Sequence, residues 1–240
     1  MPDDLVDLTT RERRALLCRC ELLAEASDEA LAALAEAAEL RELEPGAVLV
    51  RQGAEADALY LLVYGGAEVR LEGGEDEEEV VLDQLGAGAL VGEMGVLTGE
   101  PRTATVRASE LLVALRVPRE AMLAVLGEHP ELAVDVWTTV ARRRLEALLA
   151  ASHRFADQDG HARRWLTEAV SPVFLPARSA RRMTCTGPLF VVSGQVEAET
   201  ELGWASVRGP SLLPCVGPVE CQARTDAVVA VGPPLLGLGG

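Results

Sequence analysis

Val91-Gly92-Glu93-Met94-Gly95-Val96-Leu97-Thr98-Gly99-Glu100-Pro101-Arg102-Thr103-Ala104-Thr105-Val106 sets an acid between glycines and places, nine residues later, an arginine at the start of an alternating apolar stretch. Glycine-rich loops hold phosphates in several unrelated ways, and two of these are excluded by spacing. No Gly-Lys-Ser/Thr closes the stretch, so it is not a P-loop. Gly86-Ala87-Gly88 with Gly92 misses the dinucleotide-binding pattern and has no long helix after it.

Outward from this loop the chain has strand character. It contains no Ile, Lys or Asn, so Val carries the β-branched load and Val-rich alternation is the strand signal. Residues 47–53, 58–63, 67–71, 79–83, 103–108 and 110–117 read as short strands with glycine-bearing turns between them, the pattern of an antiparallel barrel or sandwich. Residues 73–79, two glycines followed by five acids, read as a solvated hairpin tip, because that much like charge cannot be buried. Helical spacing precedes the strands over residues 8–23, and Ser27-Asp28-Glu29 caps a second helix that ends near Leu40. After them, Pro118 opens a short helix that Gly127 stops, and Pro130 opens a longer one to about Arg154.

In this order, over residues 16–154, the chain resembles the cyclic-nucleotide-binding domain family, shared by catabolite-activator-type regulators, cyclic-nucleotide-dependent kinases and gated channels; residues 91–106 resemble its phosphate-binding cassette. The resemblance implies a β-roll, or jelly roll, closed by N- and C-terminal helices. It also implies roles: Glu93 would accept the ribose 2′-hydroxyl and Arg102 would pair with the cyclic phosphate. The turn from Gly92 through Met94 and Gly95 to Leu97 would offer backbone N–H groups. A planar guanidinium suits a singly charged phosphodiester, and glycines allow backbone to approach a ligand that Cβ atoms would block. Thr103 leaves the ligand open between cAMP and cGMP, because a hydroxyl there can contact guanine or bond its own backbone. Trp137, Arg144 and His153 are candidates to cover the base. The chain departs from the family at Val91, where an aromatic is usual. The competing reading is that Glu93 and Arg102 pair only with each other in a roll without a ligand.

The remaining 70 residues, 171–240, hold eight Pro and nine Gly, which leaves no room for the helix-turn-helix of a catabolite-activator-type regulator. Residues 188–198 echo 58–71, and residues 221–231 echo 104–117, so a shortened second β-roll is expected, with Val219 in the place of Arg102. The domain division expected is 1–155 for nucleotide binding, 156–170 as a helical connector and 171–240 as the degenerate roll.

Composition narrows the function classes. A net charge of −16 opposes phosphate neutralisation, so nucleic acid is an unlikely partner, although nine Arg against four acids between Ala141 and Arg182 keep a DNA-binding transcription regulator as the alternative. A ligand-free scaffold is the third reading. The five Cys are an odd, scattered set in which Cys18 and Cys20 sit two apart with no second pair or nearby His to complete a metal site, so free thiols are expected, with no metal site, no catalytic residues and no cofactor beyond the nucleotide. No apolar run is long enough for a membrane helix, and the expected setting is cytoplasmic. The helix over 130–154 carries apolar residues on more than one side and is expected to meet either a twin subunit or the ligand, as its lid; an effector protein is a further expected partner.

Overall fold

Thr9 starts the first helix by a reciprocal cap: its hydroxyl accepts from the Glu12 N–H, and the Glu12 carboxylate accepts from the Thr9 N–H at 2.8 Å. The structure is a computed structural model and describes residues 8–71, 79–151, 167–168, 170–200, 203–213 and 217–232. Helix α1 spans Thr10–Leu17, short of the 8–23 expected, and a separate 3-10 turn at Glu21–Leu23 buries Leu22 and Leu23. Ser27 caps α2 (Asp28–Ala37) through its hydroxyl, which accepts from the Ala30 N–H at 3.2 Å.

Strand β1 (Glu39–Leu43) then takes the residues expected to finish that helix. It lies at a sheet edge with no fully buried side chain, so no apolar alternation announces it. Strands β2 (Val48–Val50), β3 (Ala58–Tyr64), β4 (Ala67–Leu71), β5 (Val80–Leu85) and β6 (Leu90–Val91) follow, then a short helix α3 (Glu93–Thr98), β7 (Thr105–Ala108) and β8 (Leu112–Pro118). They form two antiparallel four-stranded sheets, ordered β1-β8-β3-β6 and β2-β7-β4-β5. Tyr60, Leu62, Val91, Val106 and Leu112 lie in the core of the roll. At the β3–β4 turn, Gly65 has a φ of +81°, and a Cβ there would lie 2.0 Å from the Leu111 carbonyl oxygen. Only glycine lets the two backbone segments cross so closely.

Helix α4 (Arg119–Glu128) starts at Pro118 and runs through Gly127, and α5 (Pro130–Ala151) starts at Pro130, where a missing N–H costs nothing. The chain divides into two compact units, Met1–Ala133 and Val134–Gly240, so most of α5 belongs with the second. Within that unit the buried Arg144 donates from Nη1 to the Val192 carbonyl.

The second unit contains β9 (Ser171–Leu175), β10 (Ala180–Cys185), β11 (Leu189–Ser193), β12 (Gln195–Thr200), β13 (Gly203–Arg208), β14 (Ser211–Leu213), β15 (Gly217–Ala223) and β16 (Ala227–Val231). Their sheet orders, β9-β16-β11-β14 and β10-β15-β12-β13, reproduce those of the first roll strand for strand. Gly194, with φ +78° and 2.2 Å from the Asp226 carbonyl oxygen to a Cβ placed on it, repeats the crossing at Gly65. The protein is thus mainly β with flanking helices, an antiparallel roll followed by a second one. Of the helical connector expected over 156–170, only Thr167, Glu168 and Val170 are among the described residues, and His153 and Arg154 lie outside them.

Candidate functional site

Arg102 is the most deeply buried charged residue of the quoted loop, 6% exposed. Backbone bonds fix its place: its N–H donates to the Ala54 carbonyl at 2.9 Å, and its carbonyl accepts from the Gly53 N–H at 2.8 Å. Its guanidinium donates from Nη1 to the Gly92 carbonyl at 2.9 Å, and from Nη2 to the Ala58 carbonyl at 2.5 Å and to Asp57 Oδ1 at 3.5 Å. The Tyr60 ring centroid lies 6.0 Å from the guanidinium carbon. Three oxygens and an aromatic face therefore hold a cation in place beside the loop, with backbone carbonyls doing most of the orienting.

Gly92 makes this approach possible. It sits in the left-handed region with φ +81° as the residue capping α3, and a Cβ on it would fall 2.0 Å from Arg102 Nη1. Gly95 is buried, and a Cβ there would meet the Ala56 Cβ at 2.6 Å and the Glu100 carbonyl oxygen at 2.9 Å. The two glycines thus serve different needs, one the guanidinium and the other the fit of α3 against the β2–β3 connection.

Glu93 opens α3 as a half-buried side chain, close enough to Arg102 for its charge to support the guanidinium. Burial pushes the Arg102 pKa down, and Tyr60, Asp57 and Glu93 oppose that shift. Arginine stays protonated throughout the physiological range, so the loop keeps its positive charge. Met94 is half-buried, and its carbonyl accepts from the Thr98 hydroxyl at 2.8 Å, which tightens the helix. Thr103 is exposed. The structure brings Gly92, Glu93 and Arg102 together, seats Met94 and Gly95 in the adjoining turn, and leaves Thr103 at the surface.

Sequence reasoning missed the groups that organise Arg102 from a distance. Asp57 lies 45 residues earlier and bridges two arginines, with Oδ1 toward Arg102 and Oδ2 accepting from Arg116 Nη2 at 2.9 Å. Burial alone raises the Asp57 pKa, but the hydrogen bond and charge of Arg116, with the charge of Arg102, outweigh it and hold the carboxyl below its ordinary value. Arg119, the first residue of α4, donates from Nη1 to the Gly95 carbonyl at 3.2 Å, and its backbone N–H donates to the Asp57 carbonyl at 2.8 Å. A polar residue just ahead of an apolar strand is too common a signal to have singled Asp57 out.

The second roll has no equivalent constellation among the described residues. Strand register corrects the expected alignment by two residues. Ala67 pairs with Ala108 as Val196 pairs with Ala223, so Thr105 matches Glu220 and Arg102 matches Gly217, not Val219. Val219 points into the second core, 3% exposed. Val91 matches Leu213, each paired to the first matched position of the adjoining strand. Between these equivalent points lie thirteen residues in the first roll, 92–104, and six in the second, 214–219. Six residues cannot contain the counterpart of α3 and still return to the sheet.

Residues 40–129 match the family model of the cyclic nucleotide-binding domain. The chain is 33% identical over 102 residues to lysophospholipase nte1 of Aspergillus oryzae, and 31% identical over 104 residues to patatin-like phospholipase domain-containing protein 6 of Mus musculus. These stretches cover 42% and 43% of this chain but only 7% and 8% of the relatives' own lengths. Among solved structures, the N-terminal domain of a transcriptional regulator from Streptomyces coelicolor is 28% identical with a TM-score of 0.50, covering 60% of this chain and 99% of that one. The regulatory domain of Toxoplasma gondii PKA, solved with cAMP, shares the fold over 92% of this chain and 87% of its own, with 19% identity and a TM-score of 0.50.

Proposed function

We propose that the first roll is a receptor for a cyclic mononucleotide, cAMP or cGMP, and that it signals by repositioning helices instead of catalysing a reaction. One observation carries this reading: a buried guanidinium, oriented by carbonyls and admitted by a left-handed glycine, stands beside a carboxylate at the start of α3. A cyclic phosphate placed against Arg102 gains a charge-assisted, paired hydrogen bond, and the amides of the Gly92–Gly95 turn add donors to the same anion. Glu93 beside a phosphate would repel it, so its role is to accept a hydroxyl, which a ribose supplies. The deep burial of Arg102 also supports a ligand role, because desolvation offsets much of what an ion pair held only for stability would contribute.

Transmission follows from the bonds around the loop. The Gly95 carbonyl and the Asp57 backbone are both tied to Arg119, so displacement of α3 or of Asp57 by a ligand pulls on the first turn of α4. Such a signal requires the ligand to favour one arrangement energetically over the other. The closing helices α4 and α5 are the moving parts in this reading. They act on an effector protein or on a twin subunit through α5, and the setting is cytoplasmic. Among the described residues no helix is long and apolar enough to cross a membrane.

Calorimetric titration with cAMP, cGMP and a cyclic dinucleotide tests the proposal. Saturable binding of a cyclic mononucleotide that is lost in Arg102→Ala supports it. Equal affinity in the variant, or no heat and no rise in melting temperature with any of the three, overturns it.

A further inference from the structure

Strand β5 ends the sheet order β2-β7-β4-β5, so one of its backbone sides has no neighbouring strand among the described residues of the first unit. Its apolar residues are unusually open: Val80, Val81 and Leu82 are 54%, 44% and 56% exposed, and Leu71, paired with Val80 across the ladder, is 41% exposed. A bulge interrupts the ladder here, because Arg70 pairs with Val81 and Val69 with Asp83, leaving Leu82 as the extra residue. Exposed edges with apolar side chains invite another strand, and natural sheets usually blunt them with basic residues. None is present on this strand.

Charge identifies the occupant. From Leu71 to Pro101 the sequence has nine carboxylates and no Arg, Lys or His. The nearest cation, Arg70, is already engaged by Glu68 at 2.9 Å and by Glu79 at 2.6 Å. Asp83 is exposed on the strand itself. A second copy of this chain, with the same acids and a net charge of −16, would be repelled. The equivalent edge of the second roll, which exposes Trp204, differs in its connection, register and charge. There β13 follows β12 after only residues 201–202, pairs in unbroken register and ends in Arg208.

We propose that β5 is the docking edge for an extended, basic segment of another protein, which adds to the sheet as a strand through backbone hydrogen bonds. Its alternate apolar side chains cover Val80, Leu82 and Leu71, while its Lys or Arg side chains answer the acids that flank the strand. This inference does not depend on nucleotide binding.

The test is fluorescence anisotropy on the full chain with a labelled synthetic peptide of alternating Val and Arg, compared with one of alternating Val and Glu. The basic peptide is expected to bind with an affinity that falls steeply with salt, and the acidic one is not. Val80→Thr with Leu82→Thr keeps strand propensity but removes the apolar cover, and is expected to weaken binding at least about tenfold with the melting temperature and nucleotide affinity unchanged. Failure of the basic peptide to bind overturns the proposal. So does equal binding by the double variant, which would mark simple charge attraction. A dimer in sedimentation that the double variant dissociates also overturns it, assigning the edge to a second copy.

Discussion

The two rolls of this chain carry eight strands each in equivalent sheet orders, and each crosses its β-turn on a left-handed glycine, Gly65 in one and Gly194 in the other. They part company in the connections. Thirteen residues separate the equivalent positions of the sixth and seventh strands in the first roll, enough for α3, Glu93 and Arg102, while the second roll has six. The fourth and fifth strands are joined by eight residues, 72–79, in the first roll and by two in the second. The barrel is common to both rolls, and both recognition features proposed for the first lie on or beside its longer connections.

The contrast is most sharply tested at Arg102. Arg102→Ala is expected to cost about 2 to 5 kcal/mol of nucleotide affinity, the range for truncating one member of a buried charged pair, measured by calorimetry. The matching change in the second roll, Gly217→Ala, leaves affinity unchanged. Gly92→Ala comes next: the left-handed conformation costs a side chain about 1 to 2 kcal/mol of stability. The new Cβ also displaces the guanidinium, so melting temperature and affinity fall together. Gly217 has φ +95° but no atom within 4 Å of a Cβ, so its alanine variant loses stability alone.

A smaller difference concerns acid. Because the Asp57 pKa is depressed in the folded chain, its contribution is complete above the ordinary carboxylate pKa and is lost as pH falls through the lower folded value. Melting curves taken downward from about pH 4 should therefore fall more steeply for the natural protein than for Asp57→Asn. If the two run in parallel, the Arg102–Asp57–Arg116 bridge does not stabilise the first roll. The smallest effect is expected at Thr103→Ala, where one exposed hydroxyl is worth about 0.5 to 1.5 kcal/mol at most, read as a change in the ratio of cGMP to cAMP affinity.

Much of this architecture was legible from local signals. The Val-rich alternation located β3, β4, β7 and β8, and prolines 118 and 130 marked the starts of α4 and α5. Strands β1 and β6 were not read, the first because an edge strand with exposed side chains has no apolar period, the second because two residues carry none. In the site, the spacing from Gly92 to Arg102 exposed the local members, since one loop supplies them. Asp57, Tyr60 and Arg116 come from other strands or their ends, and the fold brings the first two to the guanidinium and Arg116 to Asp57. The two-residue error in placing the counterpart of Arg102 has the same origin: similar Val-rich strings align at several offsets, whereas paired backbones fix one.

The shortened connection between β14 and β15 also sets the form of the dose–response. With no second cradle among the described residues, the proposed receptor is expected to have one saturable site per chain, its occupancy following a simple hyperbola. A titration steeper than that would mean that separate chains exchange information.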